Sequence, residues 1–431
     1  MSVQSMRARL ARLLLLACAM SPAVFAQTAV TPPPGTLTLA RALDAALRGN
    51  PELHASAYEL NAAQARAVQA ALRPNPELVL ELENFAGAGS ARGTDALETT
   101  LSLSQVVELG GRRGLRRAAA ALDVDAVGSE QAVRELDVLA EVTRRFIEVA
   151  VAQEHARFAV EAHEITRQTA DSIESRARAG RTPQAEVSRA RVAEARAAIE
   201  REQASVEFTA ARQALSVLWG EEAPSFDAVE ARLFDLPAIE PLEPMLARIE
   251  SSGDLARFAT LARQREAEWR LAQAQARPNL TFSLGVRRFE ATRDHALVAG
   301  VSMPLAIGDR NQGSIAEARV RMQQNRAEHA SARLRARATV RSLHLELGAT
   351  RSRIGALGGV AIPRATEALE QTRAGYDRGR FSFLELASVQ EELLSLRAAT
   401  IDAAADYHRL LAEIERLTGA AATPQPPESQ P

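Results

Sequence analysis

The sequence predicts an exported, mainly α-helical protein made of two copies of one unit. Each copy contains a transmembrane β-hairpin. The composition favours long helices, since 46% of the residues are hydrophobic but only 4% are aromatic, and alanine is common. The chain also matches itself at an offset of about 200 residues, as repeat proteins do. Finally, each copy holds two segments of about ten residues that alternate between apolar and polar side chains, as membrane-barrel strands do.

The N-terminus has the pattern of a secretory signal peptide over residues 1–26. Three arginines precede an apolar run from Leu13 to Met20, and small residues follow, so cleavage is expected after Ala26. The alternative is lipoprotein-type processing at Cys18, which would leave a shorter apolar run than export signals use. A Pro-rich linker is expected over residues 27–36. Since Cys18 is the sole cysteine, intramolecular disulfides and Cys-rich metal sites are excluded.

The two copies share short strings at a helix end and at a turn. Arg73-Pro74-Asn75 recurs as Arg277-Pro278-Asn279, and Ala179-Gly180-Arg181 recurs as Arg378-Gly379-Arg380. One nearly constant offset across a helix end and a turn is not expected of chance similarity between helical segments. The predicted organisation is repeat 1 at 37–220, a connecting segment at 221–237, repeat 2 at 238–419 and a disordered tail at 420–431.

Each repeat begins with helices that lead into a β-hairpin, predicted at 77–106 in repeat 1 and at 279–304 in repeat 2. Alternate positions on these strands are apolar and are expected to face lipid: Leu80, Leu101, Leu284 and Val301. The opposite parity places three carboxylates in the lumen, where symmetry would arrange them as rings of negative charge: Glu81, Glu83 and Glu98. Such rings favour cations, although ordinary solvated lumen residues explain the same pattern. For the strands alone, a half-buried sheet in a soluble domain is the simpler interpretation.

The long helices change that interpretation. No strong helix breaker separates Arg112 from Gly180, so the sequence predicts a helix of about 100 Å there, and a comparable stretch precedes Gly379. After each of these glycines a second helix runs back, so coiled-coil hairpins are predicted at 112–219 and at 311–418. Four strands cannot close a barrel and a bilayer does not tolerate open sheet edges, so several chains must supply strands to one barrel.

Several strings then match a known family. These are Asn50-Pro51-Glu52-Leu53, Arg73-Pro74-Asn75-Pro76-Glu77-Leu78 and Glu108-Leu109-Gly110-Gly111-Arg112. Together with the repeated architecture, they resemble the TolC-like outer-membrane efflux proteins, and within that family the CzcC-type heavy-metal efflux branch. The resemblance implies a homotrimer with a 12-stranded outer-membrane β-barrel, four strands coming from each chain. It also implies that a long periplasmic α-helical coiled-coil barrel continues this β-barrel.

The resemblance also implies partners and cargo. Such channels dock an inner-membrane resistance-nodulation-division pump through a periplasmic adaptor, also called a membrane fusion protein. The branch implies export of heavy-metal cations, either cobalt, zinc and cadmium or copper and silver, with drugs or other organic solutes as the alternative cargo. The helix-to-helix turns would be the adaptor-docking tips: Gly180, Arg181, Thr182, Gly379, Arg380 and Phe381. A turn that needs glycine for its own geometry explains the same glycines.

The periplasmic end is expected to be closed at rest, because an open tube would leak periplasmic contents. The resemblance places one tyrosine and two acidic residues at the periplasmic gate: Tyr376, Glu186 and Glu385. A third acidic position of the family falls on Ser388. Arg378 or Arg380 is expected to pair with the two glutamates and hold the closed state, although exposed pairs are individually weak, at about 0–1 kcal/mol. Solvated charge on a helix surface is the alternative interpretation.

The sequence does not predict an enzyme. The HExxH, P-loop and GxSxG motifs are absent, and the seven histidines show no pair at metal-ligand spacing, so no catalytic residue, metal site or cofactor is expected. A formal net charge of −2 gives no reason to expect nucleic-acid binding. Three other classes are weaker alternatives. A periplasmic adaptor would carry one coiled-coil hairpin, a secreted coiled-coil protein leaves the amphipathic strands unexplained, and an exported hydrolase would need a catalytic constellation.

Overall fold

The computed structural model describes residues 35–419. The predicted signal peptide at 1–26, most of the Pro-rich linker and the predicted tail at 420–431 lie outside the described residues. The helices are α1 (Leu39–Gly49), α2 (Pro51–Ala70), α3 (Arg112–Arg178), α4 (Gln184–Ser216), α5 (Leu242–Ile249), α6 (Gly253–Gln275), α7 (Gln312–Ala356), α8 (Ile362–Asp377) and α9 (Phe383–Thr418). The strands are β1 (Thr36–Leu37), β2 (Glu77–Glu83), β3 (Glu98–Val107), β4 (Ala228–Val229), β5 (Leu280–Phe289) and β6 (His295–Ser302).

Helix predominates over strand, which confirms the mainly α fold class. Two coiled-coil hairpins form most of the molecule, and in repeat 1 the helix α3 of 67 residues packs along α4 of 33 residues. Val142 and Val149 of α3 are among the buried side chains that recur at helical spacing. In repeat 2 the long helix is divided, because a π-helical segment, Leu357–Ala361, separates α7 from α8. Gly358 and Gly359 lie inside this segment, and glycine weakens an α-helix.

None of the helices between residues 35 and 419 combines the length and the apolar character that a membrane-crossing helix requires.

The four longer strands form one antiparallel sheet in the order β2-β3-β5-β6. The hairpins of the two repeats are therefore joined through β3 and β5. The register places apolar side chains opposite one another, as in the row Leu80, Leu101 and Val286. Leu284 and Val301 lie on the same face and are 64% and 65% exposed. No layer formed by the described residues of the chain covers this apolar face.

The Asn50-Pro51-Glu52-Leu53 string marks the boundary between α1 and α2. The Asn50 side chain accepts hydrogen bonds from the backbone N–H groups of Glu52 (2.9 Å) and Leu53 (3.0 Å), so it caps α2. It also donates to the carbonyl oxygen of Leu218 at 2.8 Å, which ties the start of repeat 1 to its last turn. Pro51 takes the first helical position, where a backbone N–H would have no partner within the helix.

A short parallel strand pair, β1 with β4, lies beside α3. Residues 221–237, which the sequence identifies only as a connecting segment, supply β4, and the end of the predicted linker supplies the start of β1. Leu37, Val229 and Phe226 are buried there together with side chains of α3. Strands of two residues carry no period-2 pattern, so the sequence alone does not reveal them.

Arginines at the start of α3 fasten the junction between the sheet and the helices. Arg116 donates to the carbonyl oxygens of Ala70 (2.8 Å) and Leu72 (2.9 Å), at the C-terminal end of α2. The guanidinium also binds both carboxylate oxygens of Glu108, and this hydrogen bonding lowers the pKa of Glu108. Arg112 makes a similar contact with the last carbonyls of α6, at 3.1 and 2.6 Å. The Glu108-to-Arg112 string therefore has a structural role.

We expect Arg116→Ala to destabilise the folded protein by about 2 kcal/mol, because the Glu108 carboxylate and two helix-end carbonyls lose their donor. The measurement is the temperature at which the purified oligomer dissociates on heating in detergent. Arg117→Ala is the matched control, since Arg117 is exposed and its side chain makes no hydrogen bond or ion pair within residues 35–419. An Arg116→Ala oligomer as heat-resistant as the wild type would contradict this role.

Candidate functional site

The turn between the two helices of each coiled-coil hairpin has the same geometry in both repeats. Gly180 and Gly379 adopt left-handed φ angles of +73° and +71°, a region that glycine enters without steric cost. In repeat 1 the N–H of Arg181 donates to the carbonyl oxygen of Arg176 at 2.9 Å, and repeat 2 has the equivalent bond at 2.8 Å. These are matching Schellman caps, so both glycines have a structural reason to be there.

The side chains at the two turns divide into exposed and packed groups. Arg181 and Arg380 are exposed, whereas Thr182 is partly buried. Phe381 lies against Gly375, where an added Cβ would come within 2.1 Å of the Phe381 ring. A larger residue at position 375 would therefore displace this ring. Exposed arginines at both tips, together with the Phe381 ring that is 43% exposed, suit a protein partner.

The tips of the two repeats pack against each other through a small apolar core. Tyr376 of α8 is only 7% exposed and lies in one cluster with Ile173 of α3, Val187 of α4 and Leu386 of α9. Ala170 of α3 is fully buried in the same cluster, and its small side chain allows the helices to approach closely. Because both hairpins contribute, this cluster sets the position of one tip relative to the other.

Polar contacts around Tyr376 connect repeat 2 to repeat 1. The Tyr376 hydroxyl donates to Glu186 Oε2 at 3.2 Å. Burial raises the pKa of Tyr376, so the hydroxyl stays protonated and remains a donor. The guanidinium carbon of Arg176 lies 4.6 Å from the centroid of the Tyr376 ring, and Arg176 also pairs with Asp377 at 2.9 Å. Arg176, Glu186, Tyr376 and Asp377 together form the tip network.

The ion pairs within one chain differ from those expected at the tip of the trimer, which stay a prediction. Within the described part of the chain, neither Arg378 nor Arg380 pairs with the predicted gate glutamates. The Nε of Arg378 instead donates to the carbonyl oxygen of Ala374 in its own helix, at 2.9 Å. The arginine that joins the tip network is Arg176 of repeat 1, because the packing of the tips brings α3 next to α8.

Glu385 has a local role at the start of α9. Its carboxylate accepts a hydrogen bond from the N–H of Ser382 at 2.7 Å, and its own N–H donates to the Ser382 hydroxyl oxygen at 3.3 Å. This reciprocal capping box lowers the pKa of Glu385 through the hydrogen bonds from Ser382. The two predicted gate glutamates therefore differ, since Glu186 contacts Tyr376 whereas Glu385 caps a helix. Ser388 is exposed on α9.

The predicted lumen glutamates lie on the sheet face opposite to the apolar row. Glu81 is exposed, whereas Glu83 and Glu98 each pair with Arg287 at 2.8 Å. The lumen position of these glutamates stays a prediction, and one guanidinium neutralises part of their charge. The sequence pattern alone does not identify Arg287, although its parity relative to Val286 places it on the polar face.

A groove of about 610 Å³ lies between α3, α4 and α9, beside the tip core. Its walls combine apolar side chains such as Val192 and Leu394 with polar ones such as Arg196, Gln390 and Glu391. A groove between helices with apolar and charged walls suits an amphipathic helix as its occupant.

Two of the histidines show the structural contacts that such residues make. His155 Nε2 lies 2.9 Å from Asp402 Oδ1, and His408 Nε2 lies 2.9 Å from the carbonyl oxygen of Leu233. Burial lowers the pKa of His408. Over residues 35–419, no group of three or more His, Cys, Asp and Glu side chains is placed to hold a metal ion.

Comparison with known proteins gives consistent matches. The family model for outer membrane efflux proteins matches residues 42–221 and 248–420, one segment in each repeat. The cobalt-zinc-cadmium resistance protein CzcC of Cupriavidus metallidurans is 29% identical over 386 residues, which cover 89% of this chain and 90% of that protein.

Solved structures agree in fold. The crystal structure of CusC gives a TM-score of 0.72 at 18% identity, covering 88% of this chain and 91% of that chain. The outer membrane protein VceC from Vibrio cholerae gives a TM-score of 0.69 at 20% identity, covering 88% of this chain and 96% of that chain. These likenesses confirm the predicted architecture of two repeats with a shared sheet and long helical hairpins.

Proposed function

Because the chain belongs to the outer membrane efflux protein family, we propose that it forms the trimeric outer-membrane channel of a tripartite system that exports heavy-metal cations. The family consists of outer-membrane efflux proteins, so the protein is a channel of the outer membrane and not an enzyme. The trimer, the docking partners, the gate and the cargo are the parts that we propose. The observation that supports the cargo most directly is the similarity to CzcC over nearly the whole chain.

The open sheet supports the proposed trimer. Its outer strands, β2 and β6, each have one edge without a partner strand among residues 35–419. Unpaired backbone groups are not tolerated in the hydrocarbon region of a bilayer, so these edges need partners from other copies. Three copies of a four-stranded sheet give a closed 12-stranded barrel, with the apolar row towards lipid and the glutamates towards the lumen.

The long hairpins supply the periplasmic part of the assembly. The helices of both hairpins begin at the same end of the sheet and run away from it. In an outer-membrane protein the tips therefore lie deep in the periplasm. We propose that a periplasmic adaptor contacts the exposed side chains of the tips and the adjacent groove, and links the channel to an inner-membrane resistance-nodulation-division pump. Arg181, Arg380 and Phe381 are the exposed contact residues, while Gly180, Thr182 and Gly379 shape the turns.

The tip network is the proposed gate. Its contacts join α8 of one repeat to α3 and α4 of the other, so they hold the two hairpins of a chain together. In a trimer, separation of the hairpins would widen the periplasmic end. Tyr376 and Glu186 form one of the contacts that hold the proposed gate closed, whereas Glu385 contributes by fixing the start of α9.

The proposed cargo is a divalent cation of the cobalt, zinc and cadmium class. Deletion of the gene should lower the tolerated concentrations of these metals and raise their retention in cells, because the outer-membrane step of export is lost. Both effects should be reversed by the intact gene. The control is sensitivity to organic antibiotics, which should stay unchanged. Normal metal tolerance combined with increased antibiotic sensitivity would instead identify a channel for organic solutes.

A further inference from the structure

Two carboxylates oppose each other directly at one end of the sheet. Glu83 of β2 and Glu98 of β3 are register partners. Like charges directly opposite on neighbouring strands destabilise a sheet. The pair must therefore be compensated by another group.

Arg287 of β5 provides the compensation. Its Nη2 lies 2.8 Å from Glu83 Oε2, and its Nη1 lies 2.8 Å from Glu98 Oε2. Its Nε donates to Thr100 Oγ1 and its Nη1 to Glu98 Oε2, whereas the contact of Nη2 with Glu83 is an ion pair without hydrogen-bond geometry. Asn84 Nδ2 donates to the other oxygen of Glu98 at 3.0 Å. Since a guanidinium does not lose its proton in proteins, this positive charge is permanent.

The cluster lies at the end of the sheet farthest from the helices. β2 ends at Glu83, β3 begins at Glu98, and β5 ends two residues after Arg287, next to the hairpin loops. The helices adjoin the opposite ends of these strands. With the helices in the periplasm, this end is the extracellular mouth of the channel. The cluster also faces away from the apolar row, so it lines the lumen.

We propose that Arg287 is a selectivity-determining residue at the extracellular mouth of this channel. It leaves one net negative charge from the Glu83 and Glu98 pair in each chain, which attracts cations without retaining them. Conduction requires binding that is favourable enough for entry and weak enough for release. Without Arg287, each chain would present two facing carboxylates, the oxygen ligands that bind divalent cations. The identity of the cation as a divalent metal rests on the proposed function, whereas the effect on charge selectivity does not.

The test is current recording from purified trimers in planar bilayers. Arg287→Gln should shift the reversal potential in a KCl gradient towards stronger cation preference. It should also make extracellular Cd²⁺ block the current at a concentration lower by about thirtyfold, the effect of removing a unit charge about 4 Å from a divalent cation in water. Arg288→Gln is the matched control, because Arg288 is the next residue on β5, lies on the opposite face and pairs with Glu290 at 2.9 Å. Arg288→Gln should keep both wild-type values.

The opposite change keeps the proposal testable if Arg287→Gln does not assemble. A Glu83→Gln/Glu98→Gln variant retains Arg287 and should move the reversal potential towards anion preference. Unchanged reversal potential and Cd²⁺ block in whichever of these variants forms heat-resistant trimers would overturn the proposal. If the natural cargo is organic, gene deletion leaves metal tolerance intact, yet Arg287→Gln should still shift the KCl selectivity. Failure of the proposed metal cargo is therefore distinguishable from failure of the proposed role of Arg287.

Discussion

Leu101→Arg should prevent assembly of the channel in the outer membrane. Leu101 lies between Leu80 and Val286 in the register of the sheet and is 50% exposed on the apolar face. An arginine on the lipid face costs about 2–4 kcal/mol near the middle of the bilayer. Each trimer would bear this cost three times, which is comparable with the whole folding stability of a typical domain, about 5–15 kcal/mol.

The readout is the amount of heat-modifiable trimer in outer-membrane fractions, compared on gels with and without boiling. Ser104→Arg is the matched control, because Ser104 lies on the same strand but on the polar face, opposite Glu77. A water-filled lumen solvates this arginine, and Glu77 offers it a partner. If Leu101→Arg assembles as well as the wild type, or if both variants fail equally, the assignment of the two faces is wrong.

The sequence predicts those elements whose pattern is local. A period of two places successive side chains on opposite sheet faces, so the alternation of leucines in β2 and β3 fixes which residues share a face. A run without strong helix breakers predicts α3 to within a residue or two of Arg112–Arg178. The repeat doubles this information, since an element seen in one copy predicts its counterpart in the other.

The residues that the sequence does not identify depend on contacts between distant segments. Arg287 meets Glu83 and Glu98 only because β3 pairs with both β2 and β5, and the register of β3 with β5 cannot be read from one strand. Arg176 joins Tyr376 only because the two tips pack side by side. The cap at Glu385 is different, since Ser382 three residues earlier is a local signal for a capping box.

Simultaneous replacement by Tyr376→Phe and Arg176→Gln should open the periplasmic end of the channel. The double variant loses the hydrogen bond to Glu186, the contact between the guanidinium and the ring, and the pair with Asp377. We estimate that these losses destabilise the closed state by about 2 kcal/mol per chain. The exposed ion pair contributes little of this free energy. Three chains act together at one constriction. Even this modest free energy per chain therefore shifts the equilibrium strongly from the closed to the open state.

The expected results are higher conductance in planar bilayers and greater sensitivity of cells to large antibiotics such as vancomycin. Phenylalanine preserves the apolar packing of Tyr376 with Ile173 and Val187, so the tip core should persist. Arg378→Gln is the control, because Arg378 is exposed and its Nε contacts only a carbonyl of its own helix. Wild-type conductance and antibiotic resistance in the double variant would place the gate elsewhere. Equal opening by Arg378→Gln would mean that general loss of positive charge, rather than the tip network, controls the closed state.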